Sequence, residues 1–286
     1  LRSAGARIAI VAHRGRPKGE RNMEYSLQPI ADYMGIKLIP DCLDKDFLMD
    51  MRDGDVVLLE NVRFYAGEEK NDPAFAADLA RGFDVFVNDA FAVSHRAHAS
   101  TVGVAEILPS YAGQLLASEI EHLSAVMENP ARPLLSIVAG SKVSTKIGVL
   151  KALAKLSDAL IIGGALGTTF NYAQGGRVGN SLYEADQKET ALEILEYAKQ
   201  NGCQVLLPLD KGVAKTFAPD AMRMDKEFKD IQDDDIIIDA GKLTTQRDVD
   251  AIKQAKTVIW NGTVGMAEWI PNWSYGSFAL ANAIAD

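Results

Sequence analysis

The chain has 286 residues, of which 48% are hydrophobic and 24% charged, and its formal net charge is −9. That length can form one large domain or two ordinary ones. The acidic balance excludes a general affinity for nucleic acid or anionic membrane, and no apolar stretch approaches the roughly 20 residues that cross a bilayer. The two cysteines, Cys42 and Cys203, have no metal-ligand spacing, so we expect free thiols in a reducing cytoplasm.

The sequence begins and ends within predicted secondary-structure elements. The chain opens at Leu1 rather than at a methionine, and residues 278–286 are apolar at helical spacing without a cap. We therefore expect a piece of a longer protein, truncated at the N-terminus of its first lobe and at the C-terminus of its last.

Short apolar runs alternate with amphipathic segments along the chain. Continuous runs rich in Val, Ile and Leu are typical of strands covered on both faces. Such strands are predicted at 7–12, 55–60, 84–88, 134–139, 159–162, 204–208 and 257–260. Helices are predicted between them at 73–82, 147–157 and 189–201. The alternation predicts an α/β fold built on parallel sheet with right-handed crossovers.

Residues 109–129 break this rhythm and predict a single longer helix. Pro130 and Pro133 follow it, and two prolines this close end a helix and stiffen the chain beyond. We therefore predict two lobes of Rossmann-like parallel sheet flanked by helices. The lobes span 1–110 and 133–286, and a connector helix within 111–132 joins them.

Basic side chains follow three consecutive predicted strands of the first lobe, and we expect them at one edge of one sheet. The run 13–19 follows the first strand, Arg63 the second, and Arg96, flanked by His95 and His98, the third. Ligands bind at the carboxyl ends of parallel strands, and guanidinium groups match phosphate or carboxylate. Each arginine alone is typical of a solvated surface, and the histidine pair lacks a third metal ligand. Together, on an acidic chain, they favour a pocket for a small, multiply charged anion.

The second lobe carries a different pattern after its first strand. Gly140 precedes small hydroxyl residues and two lysines, Lys142 and Lys146, at the start of a predicted helix. Such a segment suits a phosphate chain, although it is neither a Walker A loop nor a dinucleotide fingerprint, and it could equally be a glycine turn with surface lysines. The glycine-rich strand ends at 163–164 and 260–269 suit a ribose or base, or simply tight turns.

Two lobes that each bind phosphate predict phosphoryl transfer between two ligands.

Five motifs, in the order in which they occur along the chain, resemble the phosphoglycerate kinase family. They are His-x-Gly-Arg-Pro-x-Gly from residue 13, Leu-Leu-Glu-Asn-x-Arg-Phe from 58, Asn-Asp-Ala-Phe-x-x-x-His-Arg-Ala-His from 88, Gly-x-Lys-Val-x-x-Lys-Ile from 140 and Trp-Asn-Gly-x-x-Gly-x-x-Glu from 260. The resemblance covers essentially the whole chain.

The resemblance implies a monomeric, cytoplasmic enzyme of glycolysis that moves a phosphoryl group between 1,3-bisphosphoglycerate and ADP, giving 3-phosphoglycerate and ATP. It implies substrate contacts at His13, Arg14, Gly15, Arg16, Arg63 and Arg96. It implies a catalytic role for Lys142. It implies nucleotide contacts at Gly140, Lys146, Gly241, Asn261, Gly265 and Glu268. Mg²⁺ would accompany the nucleotide, and the family's metal-binding aspartate would follow residue 286, so no metal ligand is expected within this chain.

Within its own span the chain departs from the family pattern at five positions, none of which removes a charged catalytic group. The departures are Ala92, Val93, Ala165, Thr263 and Ala267. Two other hypotheses stay open. The first is a non-catalytic relative or fragment that binds triose phosphate or nucleotide without turnover. The second is an unrelated α/β enzyme of a phosphorylated sugar, such as an oxidoreductase, against which the missing dinucleotide fingerprint argues.

Overall fold

The computed structural model describes every residue from Leu1 to Asp286, and the chain divides into two compact units, Leu1–Leu123 and Ser124–Asp286. Both units combine strands with helices, which confirms the predicted α/β class. The division falls inside the helix Gln114–Glu128, and the finer lobe boundaries at 110 and 133 stay predictions. None of the helices is both long and apolar enough to cross a membrane.

The first unit is built on short parallel strands. Its strands are β1 Ile8–Ile10, β2 Lys37–Ile39, β3 Val56–Leu59, β4 Phe86–Asn88 and β5 Ser110–Ala112. Its helices are α1 Gln28–Met34, α2 Phe47–Asp50, α3 Pro73–Ala80, α4 Val104–Ile107 and the beginning of α5, Gln114–Glu128. Strands β1, β3 and β2 form one sheet in that order, and β4 pairs only with β5. The prediction that three consecutive basic strand ends share one sheet is therefore wrong for the third.

Strand β3 is the centre of the first unit because its apolar run is buried on both faces. Leu59 belongs to the cluster that contains Phe75 of α3, whereas Leu58 belongs to the cluster that contains Leu27, just before α1. Alternate side chains of a strand point to opposite faces, so one continuous apolar run serves two cores. The structure thus confirms the strand predicted at 55–60, shortened to Val56–Leu59.

The single helix predicted over 109–129 is wrong at its beginning. Residues Ser110–Ala112 form strand β5, parallel to β4, and helix α5 starts only at Gln114. The carboxylate of Asp89 accepts a hydrogen bond from the Leu116 amide at 3.0 Å, so a side chain from the neighbouring strand end satisfies a free N–H group at the helix start. The helical spacing of apolar residues in 109–129 does not reveal this tertiary contact.

The second unit has a four-stranded parallel sheet in the order β12-β6-β7-β8. Its strands are β6 Leu134–Gly140, β7 Ala159–Gly163, β8 Gln204–Leu206 and β12 Thr257–Asn261. Its helices are α6 Ile147–Leu156, α7 Gly164–Ala173, α8 Lys188–Gln200, α9 Lys242–Gln254 and α10 Tyr275–Ala285. Helices α6, α7 and α8 bury Leu150, Phe170 and Ile194 in one cluster, while Ile252 and Leu280 of α9 and α10 lie in another. Alternate residues of β7 enter both clusters, so the sheet is covered on both faces.

A second, antiparallel sheet in this unit escaped sequence prediction. Strands β9 Asp210–Ala214, β10 Met224–Glu227 and β11 Ile236–Ala240 pair in the order β10-β9-β11. This sheet is an addition to the predicted parallel sheet, which the structure confirms. Strand β9 begins with two charged residues, yet all five of its residues are buried, and β10 is mostly charged. Neither strand has the apolar pattern on which strand prediction depends.

Lys211 of β9 is a charged group inside this unit, only 1% exposed. Its ammonium lies 5.9 Å from the centre of the Phe228 ring. Burial lowers the pKa of Lys211 to about 8, although the negative charges of Asp239, Asp248 and Asp210 partly oppose this shift. A buried ammonium costs free energy because water no longer solvates it.

We predict that Lys211→Met is as stable as the wild type or more stable at pH 7. The variant removes a buried ammonium, while Asp239 keeps Arg223 and Asp248 keeps Arg247 as partners. The folded wild type loses this proton near pH 8, whereas the unfolded chain holds it to about pH 10.4. Between these values the unfolded state binds more protons, so wild-type stability rises with pH. The difference in unfolding free energy between the variant and the wild type should therefore shrink as the pH rises above about 8.

Urea unfolding at pH 7.0 and 9.5 measures this difference. The exposed Lys155→Met, on helix α6, is the matched control for loss of a lysine. An equal pH dependence in Lys211→Met and the wild type would contradict the prediction.

Candidate functional site

The basic loop of the first unit, residues 13–26, is attached to the end of strand β3 through Arg63. Arg63 lies in a short 3-10 helix, Val62–Phe64, directly after β3. Its Nη1 donates to the Gly15 carbonyl at 2.9 Å, and its own carbonyl accepts from the Gly19 amide at 3.1 Å. These bonds fix the distance between the guanidinium of Arg63 and the basic loop.

The guanidinium of Arg63 is buried but mostly unpaired. The residue is 4% exposed, and its Nε and Nη2 atoms have no hydrogen-bond partner. Glu69 Oε1 lies 3.4 Å from Nε, without hydrogen-bond geometry. Buried guanidinium donors are nearly always paired, so two free donors indicate a place for an anionic ligand.

Three of the predicted site residues lie close enough for their charges to interact. Burial lowers the pKa of His13 below its ordinary value of 6.5, and the positive charges of Arg63, Arg96 and His98 lower it further. Glu69 opposes the shift. The structure therefore brings His13, Arg63 and Arg96 together, although the strand before Arg96 belongs to a different sheet.

The remaining residues of the predicted pocket are more open. Arg14 is exposed and donates from Nη1 to the Ser26 carbonyl at 3.3 Å. Arg16 is exposed, and its guanidinium makes no hydrogen bond or ion pair within the protein. Gly15 has a φ of 63°, and a β-carbon there would overlap the ring of Tyr25. The loop thus requires glycine at this position.

Glu68 is a buried polar residue of this region that sequence reasoning missed. It is 2% exposed, and its carboxylate accepts from the Ser100 amide at 3.0 Å and the Ser100 hydroxyl at 2.6 Å. Its Oε1 also lies 3.6 Å from His98 Nδ1. Glu68 precedes Glu69 in a charged run, and nothing local to that run distinguishes the buried carboxylate from its exposed neighbour.

Glycines bring the strand ends of the second unit into close contact. Gly140, with a φ of 146°, ends β6 and bridges to Gly164 at the start of α7. A β-carbon on Gly164 would lie 2.8 Å from the Gly140 carbonyl oxygen, and one on Gly262 would overlap the Ala139 carbonyl. Only glycine allows this approach, which leaves backbone rather than side chains at this edge of the sheet.

Lys146 and Asn261, predicted from separate motifs, meet at this edge. Strands β6 and β12 are neighbours, with Asn261 opposite Val138, and Lys146 Nζ donates to Asn261 Oδ1. An amide oxygen carries no formal charge, so the positive charge of Lys146 stays uncompensated. Lys142 is exposed on the same loop, and no carboxylate pairs with it. The edge therefore presents two lysine charges beside glycine backbone, an arrangement that attracts phosphate.

Gly241 and Gly265 fit against buried carboxylates. A β-carbon on Gly265 would overlap Asp239, and one on Gly241 would overlap Asp210. The Asp210 carboxylate accepts from the backbone amides of Leu243 and Thr244 at 3.0 and 2.8 Å. The first amides of helix α9 are thus already used within the protein, which leaves them unavailable for a ligand.

Glu268, the last predicted nucleotide contact, is exposed. Helix α10, which follows the loop that carries it, is held through Asp239, whose Oδ2 accepts from the Gly276 amide at 3.2 Å and pairs with Arg223 Nη1 at 2.8 Å. No group of three or more His, Cys, Asp or Glu side chains is arranged to hold a metal ion.

Comparisons with known proteins agree on one family. A family model described as phosphoglycerate kinase matches residues 1–286. The phosphoglycerate kinase of Borrelia garinii is 44% identical over 294 residues, covering 100% of this chain and 75% of that protein. The enzyme of Caulobacter vibrioides is 45% identical over 280 residues, covering 95% and 71%.

Two solved structures resemble the present one over its whole length. The structure of phosphoglycerate kinase from Coxiella burnetii has a TM-score of 0.83 and 38% identity, and the match covers 99% of this chain and 74% of that one. The phosphoglycerate kinase of Pyrococcus horikoshii has a TM-score of 0.80 at 25% identity, with coverage of 100% and 75%.

We predict that His13 titrates below 6.5, since burial and nearby positive charge disfavour its protonated form. Arg63→Ala and Arg96→Ala should each raise the pKa of His13. Arg14→Ala is the control, because that guanidinium bonds to Ser26 and is not among the charges that shift His13. A two-dimensional NMR titration of the histidine rings measures all four proteins. An unchanged pKa of His13 in both arginine variants would refute the prediction that these side chains lie close together.

Proposed function

The chain belongs to the phosphoglycerate kinase family, and from this membership we propose a division of labour between its two units. The family's reaction is reversible phosphoryl transfer between 1,3-bisphosphoglycerate and ADP, giving 3-phosphoglycerate and ATP, a step of glycolysis. The chain is accordingly a kinase that uses a carboxyl group as phosphoryl acceptor. The hypotheses of a non-catalytic relative or an oxidoreductase are not favoured.

We propose that the first unit binds the triose. The observation that carries this assignment is the buried Arg63 guanidinium, whose Nε and Nη2 donors lack partners. An anionic oxygen would pair with these donors in charge-assisted hydrogen bonds. His13 and Arg96 contribute from the neighbouring loops, and Arg14, Gly15 and Arg16 line the more exposed side. A small molecule with a phosphate and a carboxylate, such as 3-phosphoglycerate, matches this donor set.

We predict that Arg63→Ala and Arg96→Ala each weaken 3-phosphoglycerate binding about tenfold or more, because a hydrogen bond to a charged group contributes about 1.5–3 kcal/mol. Their affinity for ADP should barely change. Titration calorimetry with each ligand measures both effects, and Arg81→Ala, an exposed arginine of the same unit, is the matched control. Equal losses for triose and nucleotide would contradict the assignment to separate units.

We propose that the second unit binds ATP or ADP. Lys146 retains its charge beside the Asn261 amide, and the glycine contacts at Gly140 leave backbone accessible to a phosphate chain. Gly265 and Glu268 lie on the loop after β12, and Gly241 lies at the start of α9. Gly241 acts indirectly in this proposal, because its own N–H donates to the Asp210 carbonyl at 3.2 Å.

The magnesium ion is proposed to arrive with the nucleotide. Mg²⁺ usually binds through substrate phosphates and one or two carboxylates rather than through an all-protein cage. We propose that the nucleotide phosphates supply most of its ligands. No residue of the chain is therefore assigned to Mg²⁺.

The chemistry requires positioning and charge stabilisation rather than a covalent intermediate on the protein. In the direction of ATP use, a carboxylate oxygen of 3-phosphoglycerate forms a bond to the γ-phosphorus, and the bond to the ADP oxygen breaks. Negative charge is spread over the transferring group throughout. We propose that Lys142 meets this charge, because it is exposed and free of carboxylate partners, so no competing ion pair must break.

We predict that Lys142→Ala lowers kcat by a factor of about 10²–10³, as preorganised electrostatic contacts do, with a much smaller change in KM. A coupled assay with 3-phosphoglycerate and MgATP measures both constants. Lys155→Ala, an exposed lysine on the following helix, controls for loss of charge. A normal kcat in Lys142→Ala would make Lys142 an ordinary surface lysine.

We further propose a cytoplasmic, monomeric protein with lobes at 1–110 and 133–286 and a connector at 111–132. A reducing compartment agrees with the two free, buried cysteines. Burial raises the pKa of Cys42 to about 12 and of Cys203 to about 11, which keeps both thiols neutral and unreactive.

A further inference from the structure

The turn after strand β3 carries a buried polar pair, Glu60 and Asn61, to which the proposed function gives no role. Glu60 is 1% exposed and Asn61 is inaccessible. Burying a carboxylate and an amide costs free energy unless both are hydrogen-bonded. Their partners therefore indicate what the pair does.

The Glu60 carboxylate holds the far end of the basic loop. Its Oε2 accepts from the Ser26 hydroxyl at 2.7 Å, and its Oε1 accepts from the Leu27 amide at 2.8 Å. Oε1 also accepts from the backbone N–H of Asn61 at 2.8 Å. The point where the loop enters helix α1 is thereby joined to the end of β3.

The Asn61 side chain joins both ends of the loop to Arg63. Its Nδ2 donates to the carbonyls of Arg14 at 2.8 Å and Tyr25 at 2.9 Å. Its Oδ1 accepts from the Arg63 amide at 3.1 Å. Both amide hydrogens and the amide oxygen are thus used, and all three partners belong to the loop or to the arginine that the loop faces.

We propose that Asn61 is a positioning residue for the triose, an inference that rests on the proposed substrate site in the first unit. Asn61 lies within the protein and sets the position of the basic loop relative to the Arg63 guanidinium. A charge that is misplaced by about 1 Å can lose most of its effect on a ligand. Asn61 therefore acts on 3-phosphoglycerate through Arg63 and the loop.

The test compares Asn61→Ala with Arg63→Ala and with the double variant. Asn61→Ala should raise the Kd for 3-phosphoglycerate at least fivefold and leave the Kd for ADP unchanged, by calorimetry below the melting temperature. In the Arg63→Ala background the same substitution should raise the Kd by a smaller factor than in the wild type, because the part of its effect that acts through Arg63 is already lost and only the part that acts through the loop remains. Equal losses in both backgrounds would overturn the inference.

Two controls separate positioning from general loss of stability. Tyr65→Phe removes a hydroxyl that donates to Asp41 at 2.6 Å and accepts from the Cys42 amide at 3.1 Å. It therefore breaks hydrogen bonds in the same unit but none that the loop makes. It should lower the melting temperature without changing the Kd for 3-phosphoglycerate. If Asn61→Ala does not fold, Asn61→Leu decides, since it keeps about the same side-chain length and adds no charge but has neither the donors nor the acceptor.

The outcomes also distinguish this inference from the proposed site. An Arg63→Ala protein with wild-type affinity for 3-phosphoglycerate would refute the site itself. Weakened binding in Arg63→Ala with wild-type binding in a folded Asn61 variant would overturn the positioning role alone. Weakened binding in Tyr65→Phe equal to that in Asn61→Ala would also overturn it, because general destabilisation would then explain both.

Discussion

The buried position of the Arg63 guanidinium is the constraint on which the predicted site of the first unit depends. A charged group removed from water is costly unless its donors are paired, and here only Nη1 is, to the Gly15 carbonyl. The loop after β1 and the turn after β3 are held together around this side chain. An anion that enters can hydrogen-bond to Nη2 without displacing a protein partner, whereas at Nε it competes with the Glu69 carboxylate 3.4 Å away.

The second unit solves the problem of anion binding differently. It has no buried, unpaired cation at the predicted phosphate site. Instead, glycine contacts between strand ends keep side chains away, and Lys146 is paired with a neutral amide of Asn261. The buried charges of this unit, Asp239 with Arg223 and Asp210 with the amides of α9, support the loops around that edge. In this unit the lysines at the surface are available to a ligand, whereas the buried charges hold the loops in place.

The sequence predicted what depends on local pattern and missed what depends on tertiary contacts. The apolar run at 55–60 became the central strand β3 because both its faces are buried. Strand β9 was missed because its buried residues include Asp210 and Lys211, whose partners are distant in sequence. Strand ends also suggested the group of His13, Arg63 and Arg96, which stays a prediction. Glu60 and Asn61 belong to a recognised motif but were given no role, because polar residues after a strand usually face water.

The contact between Gly15 and Tyr25 constrains the order in which this loop can diverge. A side chain at Gly15 meets both the ring and a left-handed φ of 63°, so a first mutation there destabilises the loop. A smaller residue in place of Tyr25 opens the space, and its carbonyl would still be held by Asn61. Asparagine, which tolerates left-handed backbone better than most residues, could then follow at position 15. The evolutionary path through this loop is therefore directional, with one order of substitutions permitted and the reverse order closed.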